Sequence, residues 1–542
     1  MRAILLLFAG LPVFAQLPTC PNTPAYSTCD LAFDLEGQET PADVSLAAEF
    51  RSPRHRTYLL HAFSDGGRRM IIRFSPNEAG DWGYKLTSSV TRWNDQEAKF
   101  TAAASDSPGF IHAANVHHFQ ADNGKPHLWM STPVDKFAQI PRNEFDSIVS
   151  ARKKDGFTHL RVVLEANTDL REAADRVKAM NTEGIIADIA LAAIPKDARE
   201  RDKYVMDVAN RFSAFNIAWM GIPSFEQTAQ ARPMLKAVND ILSRYDPYHH
   251  PRTTMADASS APMAGDGWMD FISYGTVDPN VGGVEHQFYQ RPQVNTAIQS
   301  RQDLWNATMN GQYPGAGSGA YMAAWQRIMA DNRYWEFEPY FDLEGGRAVA
   351  LEDTEYLVYL EKPGPVDVAV EKHKYQVFWI NPETGDQTKG KDFNAEHFTG
   401  EPPDKSHDWV LLLAREGHKE GLSSYRFESR QVPVQEVETN PEKIPFSIES
   451  PADGDISPKR PPFYTLHIKR DTKATKNILV EWTGEVTIAG QGYRVVGRGK
   501  EGTMRIPANL YDRLPASLAV RVLILNAYGK AYELDSVLRL VE

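Results

Sequence analysis

The sequence predicts an α/β chain: a parallel sheet of the (β/α)8 TIM-barrel type in the middle, a β-sandwich ahead of it and two β-domains behind it. Three observations predict it. Strand-like and helix-like patterns alternate between Pro126 and Phe341, which is how βαβ units and a parallel sheet read in sequence. Only β-like patterns flank that stretch. The 542 residues also exceed what one hydrophobic core organises, so roughly two to four domains are expected.

The elements follow in order. Arg2, the apolar run Ile4 to Ala9 and the small residues around Ala15 form a secretory signal peptide over residues 1–15, too short to span a bilayer. Export would place the protein in the periplasm or outside the cell, where thiols oxidise. Both cysteines, Cys20 and Cys29, lie just past the expected cleavage point. Pairing them closes a short loop, worth roughly 2–3 kcal/mol. Residues 26–103 alternate short strands with turns. Trp82 and Tyr84 would share one face of a strand that follows the turn Asn77 to Asp81.

Residues 110–345 carry the alternation. Asn143 to Lys154 reads as a helix, Thr158 to Leu164 as a strand and Asp169 to Asn181 as a helix. Strand Ile185 to Leu191, helix Tyr204 to Phe215, strand Asn216 to Ile222 and helix Ala229 to Tyr245 follow. Thr253 to Met255 and Asp270 to Tyr274 are further strands. Continuous apolar strands fit a sheet covered on both faces. An open doubly wound sheet is the rival topology, but no glycine-rich phosphate loop follows a strand, so a dinucleotide fold gains no support. Residues 346–417 return to β patterns, residues 431–443 read as a Pro/Glu/Val-rich linker, and residues 444–542 have the strand spacing of an immunoglobulin-like sandwich.

Composition excludes some partners. Hydrophobic residues make up 42% and charged residues 24%, as in a globular chain rather than a disordered one. A net charge of −12 repels phosphate backbones, so nucleic acid is not an expected partner. No later apolar run is long enough for a membrane span. His249-His250 has no further ligand at metal spacing, so neither metal nor cofactor is expected.

Several segments, taken together, resemble one family. Arg73 to Tyr84 resembles the β-sandwich that precedes apiosidase-like glycoside hydrolase barrels. Pro126-His127-Leu128-Trp129-Met130 and Asp155-Gly156-Phe157-Thr158-His159 resemble the opening of such barrels. Asn216 to Trp219, Tyr245 to Pro251 and Trp305 to Tyr313 resemble their later signatures, and Gly345 to Gly417 resembles the collagen-binding-type β-domain that closes them. The resemblance implies a carbohydrate partner and a closed barrel with its working rim at the C-terminal strand ends.

Glycoside hydrolysis needs two carboxyl groups flanking the bond. Candidates at or beyond strand ends are Glu226, Glu165, Glu285 and Asp257. The chain departs from the family pattern in two places. Pro223-Ser224 stands where a catalytic acid is expected after the Trp219 strand. The segment Pro292 to Ile298 contains no acid where the second is expected. Two readings therefore stay open: a hydrolase using an alternative pair, or a catalytically degenerate barrel that binds carbohydrate or a cell surface. Trp129, Tyr274, His286, Gln312, Tyr313 and Trp335 are the expected sugar contacts, through ring stacking or hydrogen bonds; for any one aromatic an ordinary core position competes with that role.

Overall fold

The computed structural model describes residues 17–278, 282–427 and 437–449, together with strand segments between 455 and 540. The expected signal peptide lies outside the described residues, as do residues 431–436 of the expected linker. The chain divides into two compact units.

The first unit comprises residues 1–107 with Ala209–Phe215 and Tyr245–Tyr248. Its strands are β1 (Cys29–Asp34), β2 (Leu46–Arg51), β3 (Thr57–His61), β4 (Phe63–Ser64), β5 (Arg69–Phe74), β6 (Gly80–Ser88) and β7 (Glu97–Ala102). They form two antiparallel sheets, ordered β3-β2-β6-β7 and β1-β5-β4. Phe50 and Phe74, one from each sheet, stack at 4.0 Å, and Trp82 and Tyr84 are buried on one face of β6. Period-two burial of this kind is what fixes strand register. Cys20 and Cys29 are disulfide-bonded. Replacing both by serine is expected to cost about 2–3 kcal/mol by releasing the loop in the unfolded chain, read as a lower denaturation midpoint with the fold retained.

The second unit begins with a hairpin, β8 (Ile111–Ala114) and β9 (His118–Ala121), and then alternates. Strand β10 (Ser131–Pro133) leads to helix α1 (Arg142–Lys154), β11 (His159–Leu164), α2 (Leu170–Thr182), β12 (Ile186–Leu191), α3 (Ala198–Phe212), β13 (Ile217–Trp219) and α4 (Ala231–Tyr245). Then come β14 (Ile272–Tyr274), α5 (Gly282–Phe288), β15 (Gln293–Asn295), α6 (Arg301–Met309), β16 (Gln312–Pro314) and α7 (Ala320–Ala330). Capping residues set several boundaries: Asp169 accepts the Arg171 and Glu172 N–H groups, and Ser300 with Asp303 forms a capping box. Every residue of β12 is buried, as expected of a sheet covered on both faces.

Strands β10 to β13 are parallel neighbours in sequence order, and so are β14 to β16. The expected strand at Thr253–Met255 is an extended segment joining the two sets. Thr253 N–H donates to the Trp219 carbonyl at 2.8 Å, and Asp270 N–H donates to the Arg252 carbonyl at 2.8 Å. Carboxyl ends point the same way within β10 to β13 and the 252–255 segment, and likewise within β14 to β16.

An antiparallel sheet follows: β17 (Glu338–Tyr340), β18 (Leu343–Glu344), β19 (Arg347–Leu351), β20 (Glu355–Leu360), β21 (Val366–Ile380), β22 (Gln387–Lys389), β23 (Phe393–Gly400) and β24 (Trp409–Arg415). Further on, Phe463–Arg470, Leu479–Ile488, Gln491–Arg498, Glu501–Arg505, Ser517–Asn526 and Ala531–Leu540 belong to one hydrogen-bonded path of strands.

Candidate functional site

The carboxyl ends of β13 and the 252–255 segment hold the best candidate. After β13 the backbone turns through Gly221 (φ 57°) and Ser224 (φ 47°) into one 3-10 turn, Phe225–Gln227. That detour rotates Glu226 back toward the neighbouring strand end. Its carboxylate accepts the Asp257 N–H at 2.8 Å on Oε2 and the Ala258 N–H at 3.0 Å on Oε1. The residue is only 7% exposed. Desolvation pushes its carboxyl up to about 7, against the pull of those amides, and the nearby Asp257 charge adds to the rise. Asp257 is exposed, and its Oδ2 accepts from Gln227 Nε2 at 2.9 Å.

The loop that cradles Glu226 lies against Gly275. Gly275 N–H donates to the Ala258 carbonyl, and a Cβ on Gly275 would collide with the Ala256 carbonyl oxygen. Gly275→Ala is therefore expected to destabilise the protein by about 1–3 kcal/mol through overpacking. It should also displace the two amides from Glu226, and a lowered thermal midpoint checks the effect.

The remaining expected residues are placed differently. Glu165 is half-buried at the end of β11, where its own N–H donates to Thr168 Oγ1. Glu285 is 1% exposed on helix α5, with Ser259 Oγ at 3.4 Å. It belongs to a helix interior rather than a strand rim. Among the expected sugar contacts, Trp129 is a correction. It is fully buried, stacked on His159 at 3.8 Å and walled by Phe119 and Phe271, so no ring face is left for a sugar. Trp335 is corrected likewise, being buried against Tyr334 and Tyr425. Tyr274 and Tyr313 are also buried, and His118 Nδ1 lies 2.7 Å from the Tyr313 hydroxyl. Gln312 is held inside by Asn295 Nδ2, which donates to its Oε1 at 2.9 Å. As they stand, none of these side chains offers an exposed platform.

The interior between the strands is polar. Ser131 Oγ donates to Asp188 Oδ2 at 2.6 Å, and His159 Nδ1 lies 2.7 Å from Asp188 Oδ1. A carboxylate only accepts, so His159 carries its proton on Nδ1 and takes a hydrogen bond from His127 Nε2 at 2.8 Å. Burial keeps His127 well below the usual histidine range, and the neighbouring His159 ring adds to the effect. Arg161, also buried, donates to the Gly315 carbonyl at 2.8 Å.

A second cluster was invisible to spacing arguments. His117 Nδ1 and His286 Nε2 approach the two carboxylate oxygens of Glu338 at 3.0 and 2.8 Å. One potential ligand atom from each residue falls within a common 4.8 Å. The residues come from the hairpin turn, α5 and β17. Only the His117-His118 doublet could have flagged it in sequence.

Comparison with known proteins places the fold. Residues 22–89 match a domain family of unknown function, DUF5060, and residues 343–414 match one described as "putative collagen-binding domain of a collagenase". No curated protein matches the chain by sequence. Among solved structures, a Bacteroides vulgatus protein titled a putative glycoside hydrolase superposes with a TM-score of 0.63 at 15% identity, over 73% of this chain and 100% of its own. A Bacteroides vulgatus glycoside hydrolase family 5 structure gives 0.50 at 14% identity, over 57% and 94%. Another structure titled glycoside hydrolase gives 0.50 at 13% identity, over 57% and 98%. The chain thus shares a mixed α/β fold with glycoside hydrolase structures.

Proposed function

We propose that the chain is an exported, apiosidase-like glycoside hydrolase acting on polysaccharide, with its parallel strands closed into a (β/α)8 ring. Glu226 donates the proton to the leaving glycosidic oxygen. The observation that carries this reading is one buried carboxyl at a strand's C-terminal end, raised to about 7 by desolvation. A carboxyl in that state still holds its proton in weakly acid solution, as a general acid must. Asp257 serves as the second carboxylate, because its charge acts on Glu226 while its own side chain faces solvent. Glu165, on the next rim position but one, is the alternative partner. Among the described residues no helix is long and apolar enough to cross a membrane.

Two observations favour a second reading, a barrel that binds sugar without cleaving it. Strand β15 ends in Asn295, an amide where the family resemblance leads one to expect an acid, and both Glu226 oxygens already accept backbone N–H groups. Incubation with a broad panel of plant and microbial glycans separates the two. Release of reducing sugar supports hydrolysis. Heat of binding without release supports the binder, and neither result from folded protein defeats both.

A further inference from the structure

We propose that His117, His286 and Glu338 form a binding site for one divalent transition-metal ion of the zinc class, distinct from the Glu226 rim. Two imidazoles and a carboxylate are the donor set that zinc and its neighbours take with three protein ligands, leaving one position to water. The ligand atoms are already gathered within 4.8 Å of one another. Ligands about 2.0–2.1 Å from a tetrahedral ion lie about 3.4 Å from one another, and the two histidine-to-carboxylate separations are 3.0 and 2.8 Å. The imidazole rings sit with centroids 3.8 Å apart, tilted by 40°. A small rotation of either ring, with the two N–H protons shifted to the other ring nitrogens or released to solvent, turns two hydrogen bonds to Glu338 into three bonds to a shared ion.

The surroundings hold the ligands in place. His286 is fully buried, and its Cε1 and Nδ1 edge abuts Gly311 so closely that any Cβ there would collide with the ring. Its Nε2 faces Glu338 Oε2 at 2.8 Å. His117 follows two residues in the left-handed region, Asn115 (φ 45°) and Val116 (φ 63°). A β-branched residue rarely adopts that backbone, and such strain persists where the surrounding structure fixes it. Glu338 lies on β17, its side chain 45% exposed, which gives an ion a route from solvent. Because Gly311 immediately precedes β16, His286 packs at the amino-terminal end of that strand, whereas Glu226 follows the carboxyl end of β13. The ion's role is to pin the hairpin turn, α5 and β17 together.

The test uses the full-length, tag-free protein stripped with a chelator. Zinc chloride should bind with one equivalent by calorimetry and raise the thermal midpoint by about 3 °C or more at saturating ion. Cobalt(II) should give the visible absorption of a low-coordinate site. Glu338→Gln keeps the shape of a half-exposed side chain and should lose at least about tenfold in zinc affinity. His112→Ala, an exposed histidine outside the cluster, should bind as the wild type does. Failure of the stripped wild type to take up zinc, or unchanged zinc affinity in Glu338→Gln, overturns the proposal. Neither result bears on sugar cleavage, which depends on Glu226.

Discussion

Glu226→Gln is expected to lower kcat/KM on natural glycans by about 10²–10⁴-fold, the usual contribution of a positioned general acid. That is about 3–5 kcal/mol of transition-state stabilisation. The loss should be small on aryl glycosides whose phenol leaves without protonation, since those do not need the acid. An equal loss on both substrates would mean that the mutation damages the fold and not the proton transfer. The pH dependence carries the same sign. With its carboxyl raised to about 7, the wild type should lose activity as pH climbs through that value and Glu226 gives up its proton. Stability follows. A carboxyl raised on folding contributes stability that is complete below about 4.5 and is lost as pH rises through about 7, up to ~3 kcal/mol for a shift of this size. Glu355, also buried and raised to about 7, adds a similar slope. The Glu226 share is the part that Glu226→Gln removes.

How much of this was legible in sequence depends on how local each cause is. Strand β11 and helix α2 were readable to within one residue at each end, because apolar runs and an Asp169 cap act over a few positions. Helix α3 starts at Ala198, six residues before the apolar pattern suggested. The missed signal was Asp197, whose Oδ1 accepts the Glu200 N–H at 3.0 Å. The site was less legible. Trp129 and Trp335 were expected to face sugar, yet one lies in a loop before β10 and the other in a 3-10 turn, where no strand or helix period assigns a face. Glu226 was found because it follows a strand end, but its cradle comes from the next strand's loop. The pairing of His117 and His286 with Glu338 depends on contacts between segments 221 and 52 positions apart, and no local pattern records them.

Asp188→Ala is expected to produce the largest loss of stability, about 3–5 kcal/mol, because it strips a buried polar network of the group that holds it together. Ser131 Oγ and His159 Nδ1 both lose their acceptor, and neither residue has access to water as a substitute. Arg161, paired with Asp188 across β11 and β12, loses the negative charge that offsets its burial. Asp188→Asn keeps the volume and one acceptor for His159, so its cost should be nearer 1–2 kcal/mol. The difference between the two variants isolates charge from shape. Native-state hydrogen exchange along His159–Leu164 reads the effect where it arises, since these amides open with the core of the parallel sheet. If Asp188→Ala left their protection unchanged, the polar interior would be packing filler, and the sheet would be held by its apolar faces alone.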